Sequence, residues 1–280
     1  MIVTIAGIGL IGGSLAIDLR QRGFASRIIG VDTNTRHSAI AGLGGLVDET
    51  DSLESAVDRS DLIILATPVD AIHDMLPGIL DRLGGHKVVT DMGSTKAGMT
   101  RLVSKHPNRA HYVAAHPMAG TEYSGPLAAV SKLFDYKCAI ICEQERSAPF
   151  ALDTVKRMFD ALNMKLTYMN PEEHDISAAY VSHISHISSF ALSLCVLEKE
   201  EDEKRIMNLA GGGFASTVRL AKSSAEMWVP VFEQNATFVI EVLNTYIEKL
   251  GQFKHHIEQK NRKGITDLIE TANSIQKILS

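Results

Sequence analysis

A histidine at the end of an apolar run is the first residue of this sequence whose type and position suggest chemistry. The segment HYVAAHPMAGTEYSG covers residues 111–125, and its apolar start predicts a strand over 111–115 that ends just before His116. A neutral imidazole at a strand end can accept the proton of a substrate hydroxyl as a general base. A buried structural histidine is the alternative interpretation. Small neighbours leave room for a ring-sized substrate: Ala114, Ala115, Ala119 and Gly120.

A glycine-rich segment near the start of the chain is typical of dinucleotide binding. GIGLIGGS covers residues 7–14, between a predicted strand and a predicted helix. Its first glycine makes a tight turn, its second lets a pyrophosphate approach the backbone, and its third allows close packing of helix on strand. The phosphates are expected at the helix N-terminus, and an ordinary glycine-rich turn is the alternative. The expected contacts are Gly7, Ile8, Gly9, Leu10, Ile11 and Gly12.

The kind of dinucleotide is indicated by Asp32. This residue closes the predicted strand 27–32 about 20 residues after the glycines, where a carboxylate accepts the 2′-hydroxyl of a ribose. No arginine follows it directly, since Arg36 lies one helical turn away. The sequence therefore favours NAD over NADP, and an ordinary turn becomes the weaker interpretation of the glycines.

Two further strand ends are expected at the same edge of the sheet. Thr67 and Pro68 end one predicted strand, and we expect them to contact the cofactor. Ser94, in the segment DMGSTK (91–96), follows another predicted strand. Its hydroxyl is expected to hydrogen-bond the same substrate hydroxyl as His116.

Two segments in the second half of the chain carry further polar residues. In SHISH, His183 and His186 are three residues apart and share a helix face. A zinc site would also need an acid and a third ligand, so no metal is expected. In GGGFASTVRLAKSSAEMW, Arg219 and Lys222 offer cations to a dicarboxylate. A helix C-cap followed by two solvated cations is the alternative.

Composition narrows the class of protein. Of 280 residues, 45% are hydrophobic and 22% charged, and the formal net charge is −5. The acidic balance disfavours a nucleic-acid groove, and the apolar stretches suggest no membrane span and no leader. We expect a cytoplasmic protein with neither a nucleic-acid nor a membrane partner. Three cysteines form no C-x-x-C pair and are expected to be reduced and mostly buried: Cys138, Cys142 and Cys195.

Strand and helix patterns alternate up to residue 170. Most of the β-rich runs are continuous, as in strands covered on both faces, and the alternation predicts an α/β fold with a doubly wound parallel sheet of the Rossmann type. We expect an NAD-binding domain over 1–170. Helices are predicted over 14–22, 52–60, 71–83 and 150–162. Strands are predicted over 2–7, 27–32, 61–67, 86–91, 111–115, 137–143 and 165–169.

The pattern becomes helical after residue 170. Pro171 fits a first helical position, and the acids that follow it, Glu172, Glu173 and Asp175, suit a helix N-terminus. We expect an all-helical substrate and dimerisation domain over 171–280, because helices this long usually bury their apolar stripes against a second copy. Long helices are predicted over 172–198, 225–259 and 263–279, with a shorter pair between 202 and 223.

With these residues assembled, the sequence resembles the prephenate/arogenate dehydrogenase family of tyrosine biosynthesis. The matching segments run in family order along nearly the whole chain. HPMAGTE together with GGGF and its following arginine is specific, whereas the glycine fingerprint alone is not. The segments are GIGLIGGS, DMGSTK, HPMAGTEYSG, SHISH and GGGFASTVR, with Trp228 nine residues after the arginine.

The resemblance implies an NAD-dependent oxidative decarboxylation. In this family, the histidine that matches His116 accepts the proton of the ring 4-hydroxyl, hydride passes to NAD, and the ring carboxylate leaves as CO2. The expected reaction converts prephenate to 4-hydroxyphenylpyruvate. Conversion of arogenate to tyrosine is the alternative. The helical domain implies a homodimer.

The resemblance also implies roles for residues around the base. Ser94 is expected to orient the hydroxyl and the nicotinamide. Arg219 is expected to bind a substrate carboxylate, and His186 to line the pocket. Thr121 and Glu122 match further substrate-binding positions.

One residue departs from the family pattern. The family often has a basic residue after GGGF, whereas this chain has Ala215. One substrate contact is therefore missing or supplied elsewhere, with Lys222 as a candidate. Preference for prephenate or arogenate, the strictness of NAD over NADP and inhibition by tyrosine stay open. We expect neither a fused chorismate mutase domain nor a regulatory domain.

Two other functions fit part of the pattern. A β-hydroxyacid dehydrogenase would use a lysine on the helix that links the domains, whereas residues 166–198 contain no lysine or arginine. A non-catalytic NAD(H)-binding sensor would tolerate loss of both His116 and Arg219, and both are present. The enzyme interpretation is therefore favoured.

Overall fold

The computed structural model describes residues 1–203 and 206–279. The chain divides into two compact units, one spanning Met1–Asn235 and a second that begins at Ala236. The domain boundary predicted after residue 170 lies inside the first unit and stays a prediction.

An eight-stranded sheet forms the centre of the first unit, in the order β3-β2-β1-β4-β5-β6-β7-β8. All seven predicted strands are present. The additional strand, β3, has only two residues, too few to show a periodicity in the sequence. The strands are β1 Ile2–Ala6, β2 Arg27–Val31, β3 Glu49–Thr50, β4 Leu62–Leu65, β5 Val88–Asp91, β6 Tyr112–Pro117, β7 Cys138–Cys142 and β8 Lys165–Met169.

The predicted doubly wound Rossmann-type sheet is confirmed, and it is mostly parallel, with a departure at its last two strands. Pairs among β1 to β6 are parallel, but β7 runs antiparallel to β6, with His116 opposite Ile140. β8 then pairs parallel with β7. A parallel neighbour needs a crossover, usually through a helix. The connection 118–137 holds only a short 3-10 turn at Pro126–Ala128, so β7 returns alongside β6 in the opposite direction.

Four predicted helices flank the strands, together with two that were not predicted. The first begins at Leu10 instead of residue 14, because the glycines at its start lower the apparent helix propensity. The additional helices are α2 and α5. The bounds are α1 Leu10–Gln21, α2 Thr35–Leu43, α3 Leu53–Arg59, α4 Val69–Arg82, α5 Ala97–Leu102 and α6 Pro149–Ala161.

The described chain after residue 170 is helical, as predicted, with more interruptions. The predicted helix 225–259 divides at Asn235, and the predicted helix 263–279 divides at Ser274. The predicted pair between 202 and 223 includes residues 204 and 205, which lie outside the described residues. The helices are α7 Pro171–Ala178, α8 Ile184–Glu203, α9 Gly212–Thr217, α10 Ala225–Gln234, α11 Ala236–Glu258, α12 Arg262–Asn273 and α13 Gln276–Leu279, with a π-helical turn Ala179–His183 between α7 and α8.

The sheet is covered on both faces, as its continuous apolar strands predict. Successive residues of β4 belong to two different clusters of buried side chains. Leu62 and Ile64 share one cluster with residues of α1 and α6. Ile63 and Leu65 share the other with residues of α4 and α5. The loops at the strand ends are therefore held on a rigid scaffold.

One helical stretch is long and apolar enough to cross a membrane by length and composition alone. It is Pro171–Glu200, 30 residues long, in which an 18-residue window reaches a mean hydropathy of 1.3. The stretch also carries buried polar side chains: His174, Asp175, His183 and Ser189.

Candidate active site

Three glycines shape the turn between β1 and α1. Gly7 has a φ of +88°, and a Cβ on it would lie 2.6 Å from the carbonyl oxygen of Ala66. A Cβ on Gly12 would lie 1.9 Å from the carbonyl oxygen of Gly7, so the helix packs directly on the turn. At Gly9 a Cβ would meet no heavy atom within 4 Å. The turn therefore has open space at its middle glycine, which fits the approach of a pyrophosphate.

A carboxylate and a helix N-terminus complete this part of the site. Asp32 directly follows β2, and its Oδ2 accepts a hydrogen bond from the backbone N–H of Ile8 at 3.0 Å. Leu10 and Ile11 open α1, whose N-cap residue Gly9 supplies no side-chain cap to the first N–H groups. Free N–H groups at a helix start favour phosphate, and the carboxylate favours a ribose hydroxyl. The residues present therefore fit NAD.

The end of β4 adjoins the same turn. Thr67 borders Gly7, since a Cβ on Gly7 would lie 2.8 Å from Cγ2 of Thr67. Pro68 is the residue immediately before α4. The structure thus brings Thr67 beside the glycine turn, and contact of Thr67 and Pro68 with the cofactor stays a prediction.

His116 lies near the end of β6 and is linked to α7. Its Nδ1 is 2.8 Å from Nε2 of His174, and Nδ1 of His174 is 2.8 Å from Oδ1 of Asp175. His174 and Asp175 are buried, whereas His116 keeps part of its surface exposed. The candidate base is therefore the outer member of a chain of three side chains. Of these three residues, only His116 was predicted from the sequence to belong to the site.

Asp175 also holds the segment that carries Ser94. Its two carboxylate oxygens accept hydrogen bonds from the backbone N–H groups of Lys96, at 2.7 Å, and Ala97, at 2.9 Å. Asp175 therefore binds the start of α5, which corrects its interpretation as an acid serving the start of its own helix. Glu173 takes that role in a capping box with Asn170.

A buried charge pair lies below these residues. Nζ of Lys96 donates to Oδ2 of Asp91, and neither side chain is exposed. Oδ1 of Asp91 accepts a hydrogen bond from the hydroxyl of Tyr112 at 2.7 Å. Burial, followed by the charge of Asp91, raises the pKa of Tyr112 well above its usual value. The segment DMGSTK thus contributes a structural ion pair in addition to Ser94.

The protonation state of His116 suits a base. Burial lowers its pKa well below the usual imidazole value, and charge on His174 and Lys96 acts in the same direction. Burial also lowers the pKa of His174, although Asp175 opposes it. His116 is therefore neutral at pH 7, as proton acceptance requires.

The two histidines of SHISH have different surroundings. His183 is buried, its Nδ1 accepts a hydrogen bond from the side-chain amide of Asn235 at 3.1 Å, and burial lowers its pKa to about 4. His186 stacks on Trp228, with ring centroids 3.6 Å apart. Its Nδ1 bonds the carbonyl oxygen of Ser182 at 3.1 Å. One histidine is thus structural and the other forms an aromatic surface.

The predicted carboxylate anchor is paired with a predicted pocket residue. Nη1 of Arg219 lies 2.7 Å from Oε2 of Glu122. The pKa of Glu122 is lowered, first by its own backbone N–H and then by Arg219. Thr121, in the same loop, is exposed and accepts a hydrogen bond from the backbone N–H of Tyr123 at 3.3 Å. Ala215 lies in α9, one turn before Arg219.

The loop 118–137, which carries Thr121 and Glu122, is fastened to α1. Ser14 accepts a hydrogen bond from the backbone N–H of Val130 at 3.0 Å. Buried Asp18 accepts one from the backbone N–H of Lys132 at 2.9 Å. The helix that starts at the glycine turn therefore also positions the loop on the substrate side. Ser14 and Asp18 are single polar residues within a helix, and no sequence pattern predicts that they bind this loop.

The fold, the glycine turn and the relatives reported below together define the class: the protein is a Rossmann-type, NAD-dependent dehydrogenase. Two family models match the chain, the prephenate dehydrogenase nucleotide-binding domain over residues 15–168 and the prephenate dehydrogenase dimerization domain over residues 170–271. The chain belongs to the prephenate dehydrogenase family, and the resemblance found in its sequence is confirmed.

Individual relatives agree with this assignment. A prephenate dehydrogenase from Bacillus subtilis is 30% identical over 96% of this chain and 74% of that protein. The crystal structure of prephenate dehydrogenase from A. aeolicus, in complex with hydroxyphenyl propionate and NAD+, matches with a TM-score of 0.89 and 27% identity over 100% of this chain and 98% of that one. Synechocystis arogenate dehydrogenase matches with a TM-score of 0.76 and 28% identity over the whole of both chains.

Proposed function

We propose that the protein catalyses the NAD-dependent oxidative decarboxylation of prephenate to 4-hydroxyphenylpyruvate. The observation that carries the proposal is the position of His116, near the end of β6 and bonded through Nδ1 to His174, where burial lowers its pKa. The Bacillus subtilis and A. aeolicus relatives, named prephenate dehydrogenases, support the choice of substrate.

Different residues around His116 accept the proton, orient the substrate hydroxyl and hold the cofactor. His116 accepts the proton of the ring 4-hydroxyl through Nε2, and Ser94 orients that hydroxyl. NAD, when bound, supplies the nicotinamide that takes up hydride from the ring carbon. Loss of the ring carboxylate as CO2 leaves an aromatic ring. Backbone N–H groups at the start of α1 and the carboxylate of Asp32 hold the cofactor in place.

The substrate's carboxylates are assigned to the second half of the site. Arg219 binds one of them. A guanidinium has five N–H donors, and Glu122 contacts only one of the nitrogens of Arg219. The side chain of Arg219 is 51% exposed, so its other donors can reach a substrate carboxylate. His186, stacked on Trp228, lines the ring-binding surface. Thr121 belongs to the same pocket.

Assembly and location complete the proposal. The description of residues 170–271 as a dimerization domain supports a homodimer through the helical domain 171–280, next to an NAD-binding domain 1–170. Large apolar side chains exposed along α8 and α11 suit such contacts: Leu194, Leu197, Ile240, Ile247 and Leu250. A cytoplasmic location is supported by three free cysteines, although only Cys142 is buried, whereas Cys138 is half-buried and Cys195 is exposed.

Arogenate is the second candidate substrate. It is favoured by the likeness to Synechocystis arogenate dehydrogenase and by Ala215, which stands where the family often has a basic residue. Prephenate and arogenate differ only at that side chain, as keto and amino forms.

The experiment is a comparison of substrates and cofactors with the purified protein. NADH formation is followed with prephenate and arogenate in parallel, and both reactions are repeated with NADP. We expect turnover of prephenate with NAD. Faster turnover of arogenate would reassign the substrate. Turnover of neither, while NAD still binds, would bring forward a different hydroxyacid substrate or a non-catalytic NAD(H) sensor.

A further inference from the structure

The chain from His116 to Asp175 admits one arrangement of protons. An ionised carboxylate only accepts hydrogen bonds, so Nδ1 of His174 carries the proton in its 2.8 Å bond to Asp175. A neutral imidazole has one N–H, which leaves Nε2 of His174 as an acceptor. The proton in the 2.8 Å bond between the two histidines therefore sits on Nδ1 of His116.

We propose that His174 and Asp175 are positioning residues that fix the tautomer of His116 and keep the lone pair on its Nε2. The proposal rests on the proposed function, in which that nitrogen receives the hydroxyl proton. Without an acceptor at Nδ1, a neutral imidazole exchanges between its two tautomers, and one of them carries a proton where the base needs a lone pair. A carboxylate that holds a histidine tautomer is the arrangement of the Ser-His-Asp triad, extended here by a second imidazole.

The surroundings support a neutral His174. It is fully buried, and burial lowers its pKa although Asp175 acts against this. The nearby ammonium of Lys96, which is bound by Asp91, also disfavours a second positive charge. A doubly protonated His174 would donate a hydrogen bond to Nδ1 of His116 and so place the proton of neutral His116 on Nε2. The proposed positioning therefore requires a neutral His174.

The geometry is rigid at the far end of the chain. Asp175 accepts from the backbone N–H groups of Lys96 and Ala97 as well as from His174, so its carboxylate cannot rotate without breaking several bonds. For the same reason an Asp175 variant would disturb the start of α5. His174 is the better position for a test.

The direct test reads the tautomer by nuclear magnetic resonance. The full-length protein is labelled with ¹⁵N-histidine, and the signals of His116 are identified by their loss in His116→Asn. We expect the proton of neutral His116 on Nδ1, both with and without NAD. A proton on Nε2 would overturn the proposal. This result does not depend on which substrate the enzyme uses.

A matched pair of variants tests the consequence for turnover. His174→Gln places an amide oxygen near the position of Nε2 and keeps an acceptor, whereas His174→Leu removes it. We expect kcat to fall about 100-fold in His174→Leu, within the range of general base catalysis, with KM for NAD unchanged. In His174→Gln we expect a loss of about fivefold, the equivalent of one altered hydrogen bond.

The pair also separates positioning from a purely structural role. Equal losses in both variants, or no loss in His174→Leu, would contradict the proposal. Thermal unfolding shows whether each variant folds, and if only His174→Gln folds, its ¹⁵N spectrum must still show the proton on Nδ1 of His116. Failure of the wild type to turn over prephenate or arogenate would overturn the proposed function alone, since the tautomer is read independently.

Discussion

The cofactor end and the catalytic end of this site are built in different ways. The cofactor end uses backbone from one short segment, the turn 7–12, and a single carboxylate that follows the next strand. The catalytic end depends on side chains that meet from distant parts of the chain: His174 lies 58 positions after His116. The cofactor end depends on glycines, which have no side chain, whereas the catalytic end depends on side chains that hydrogen-bond one another.

This difference predicts different responses to substitution. An added Cβ at the glycine turn acts through space and disturbs binding or packing. A changed side chain at the catalytic end alters proton transfer and lowers turnover, or it leaves a buried charge or hydrogen-bonding group without its partner and lowers stability.

The largest effect is expected for His116→Asn. Removal of a general base lowers kcat by about 10²- to 10⁴-fold, while the affinity for NAD stays unchanged because the glycine turn is untouched. Steady-state kinetics and a calorimetric titration with NAD measure the two quantities. Normal turnover would show that the base is another residue, and loss of NAD affinity would show that the two ends are not separable.

Lys96→Met tests the buried charge pair below the catalytic end. It leaves Asp91 buried and unpaired, which is expected to lower the free energy of unfolding by about 3–5 kcal/mol. Urea denaturation measures it. The exposed Lys105 provides the control, since Lys105→Met is expected to change stability by less than about 0.5 kcal/mol. Equal effects of the two variants would refute the pair's contribution.

The contrast between the two ends also explains what the sequence could predict. Seven strands, the glycine turn and Asp32 were predictable because each depends on local periodicity or on a motif within one βα unit. The position of His116 was predictable because it lies near the end of a strand, where parallel sheets bind ligands. The antiparallel direction of β7 was not, because it follows from a long connection without a regular pattern.

Asp175 shows why the hydrogen-bonded partners of His116 could not be predicted from the sequence. Asp175 follows Pro171 in a run of acids, and in sequence it looks like part of a helix N-terminus. In the structure its carboxylate binds His174 and the start of α5, almost 80 positions earlier in the chain. No local pattern distinguishes it from Glu173, which does cap its own helix. Only the packing of α7 against α5 shows the difference.

Two glycine variants sharpen the description of the cofactor end. Gly12→Ala places a methyl 1.9 Å from a carbonyl oxygen and is expected to cost about 1–3 kcal/mol of stability as well as NAD affinity. Gly9→Ala meets no protein atom within 4 Å, so only NAD affinity should fall, by about tenfold or more. Thermal unfolding and NAD titration distinguish the two. A destabilised Gly9→Ala would show that the open space is needed for folding.

Asp32→Asn tests the carboxylate that selects the cofactor. Its amide still accepts from the N–H of Ile8, but it binds a ribose hydroxyl more weakly and no longer repels a 2′-phosphate. We expect an increase of about tenfold in KM for NAD, which corresponds to about 1.4 kcal/mol, and a smaller gap between NAD and NADP. Kinetics with both cofactors measure this. An unchanged ratio would move cofactor selection to another residue, with Arg36 the first to examine.

The smallest effect, and the finest comparison of the two ends, is expected in the pH dependence. Because burial lowers the pKa of His116, the neutral base persists as the pH falls through 6.5, where an exposed histidine would be half protonated and half the activity lost. The acidic limb of kcat/KM should therefore begin below pH 6.5. NAD affinity, measured over the same range, is expected to change less than kcat/KM, because the backbone amides of the glycine turn do not titrate. A half-loss of kcat/KM at or above pH 6.5, in protein shown by circular dichroism to stay folded, would mean that burial does not lower the pKa of His116.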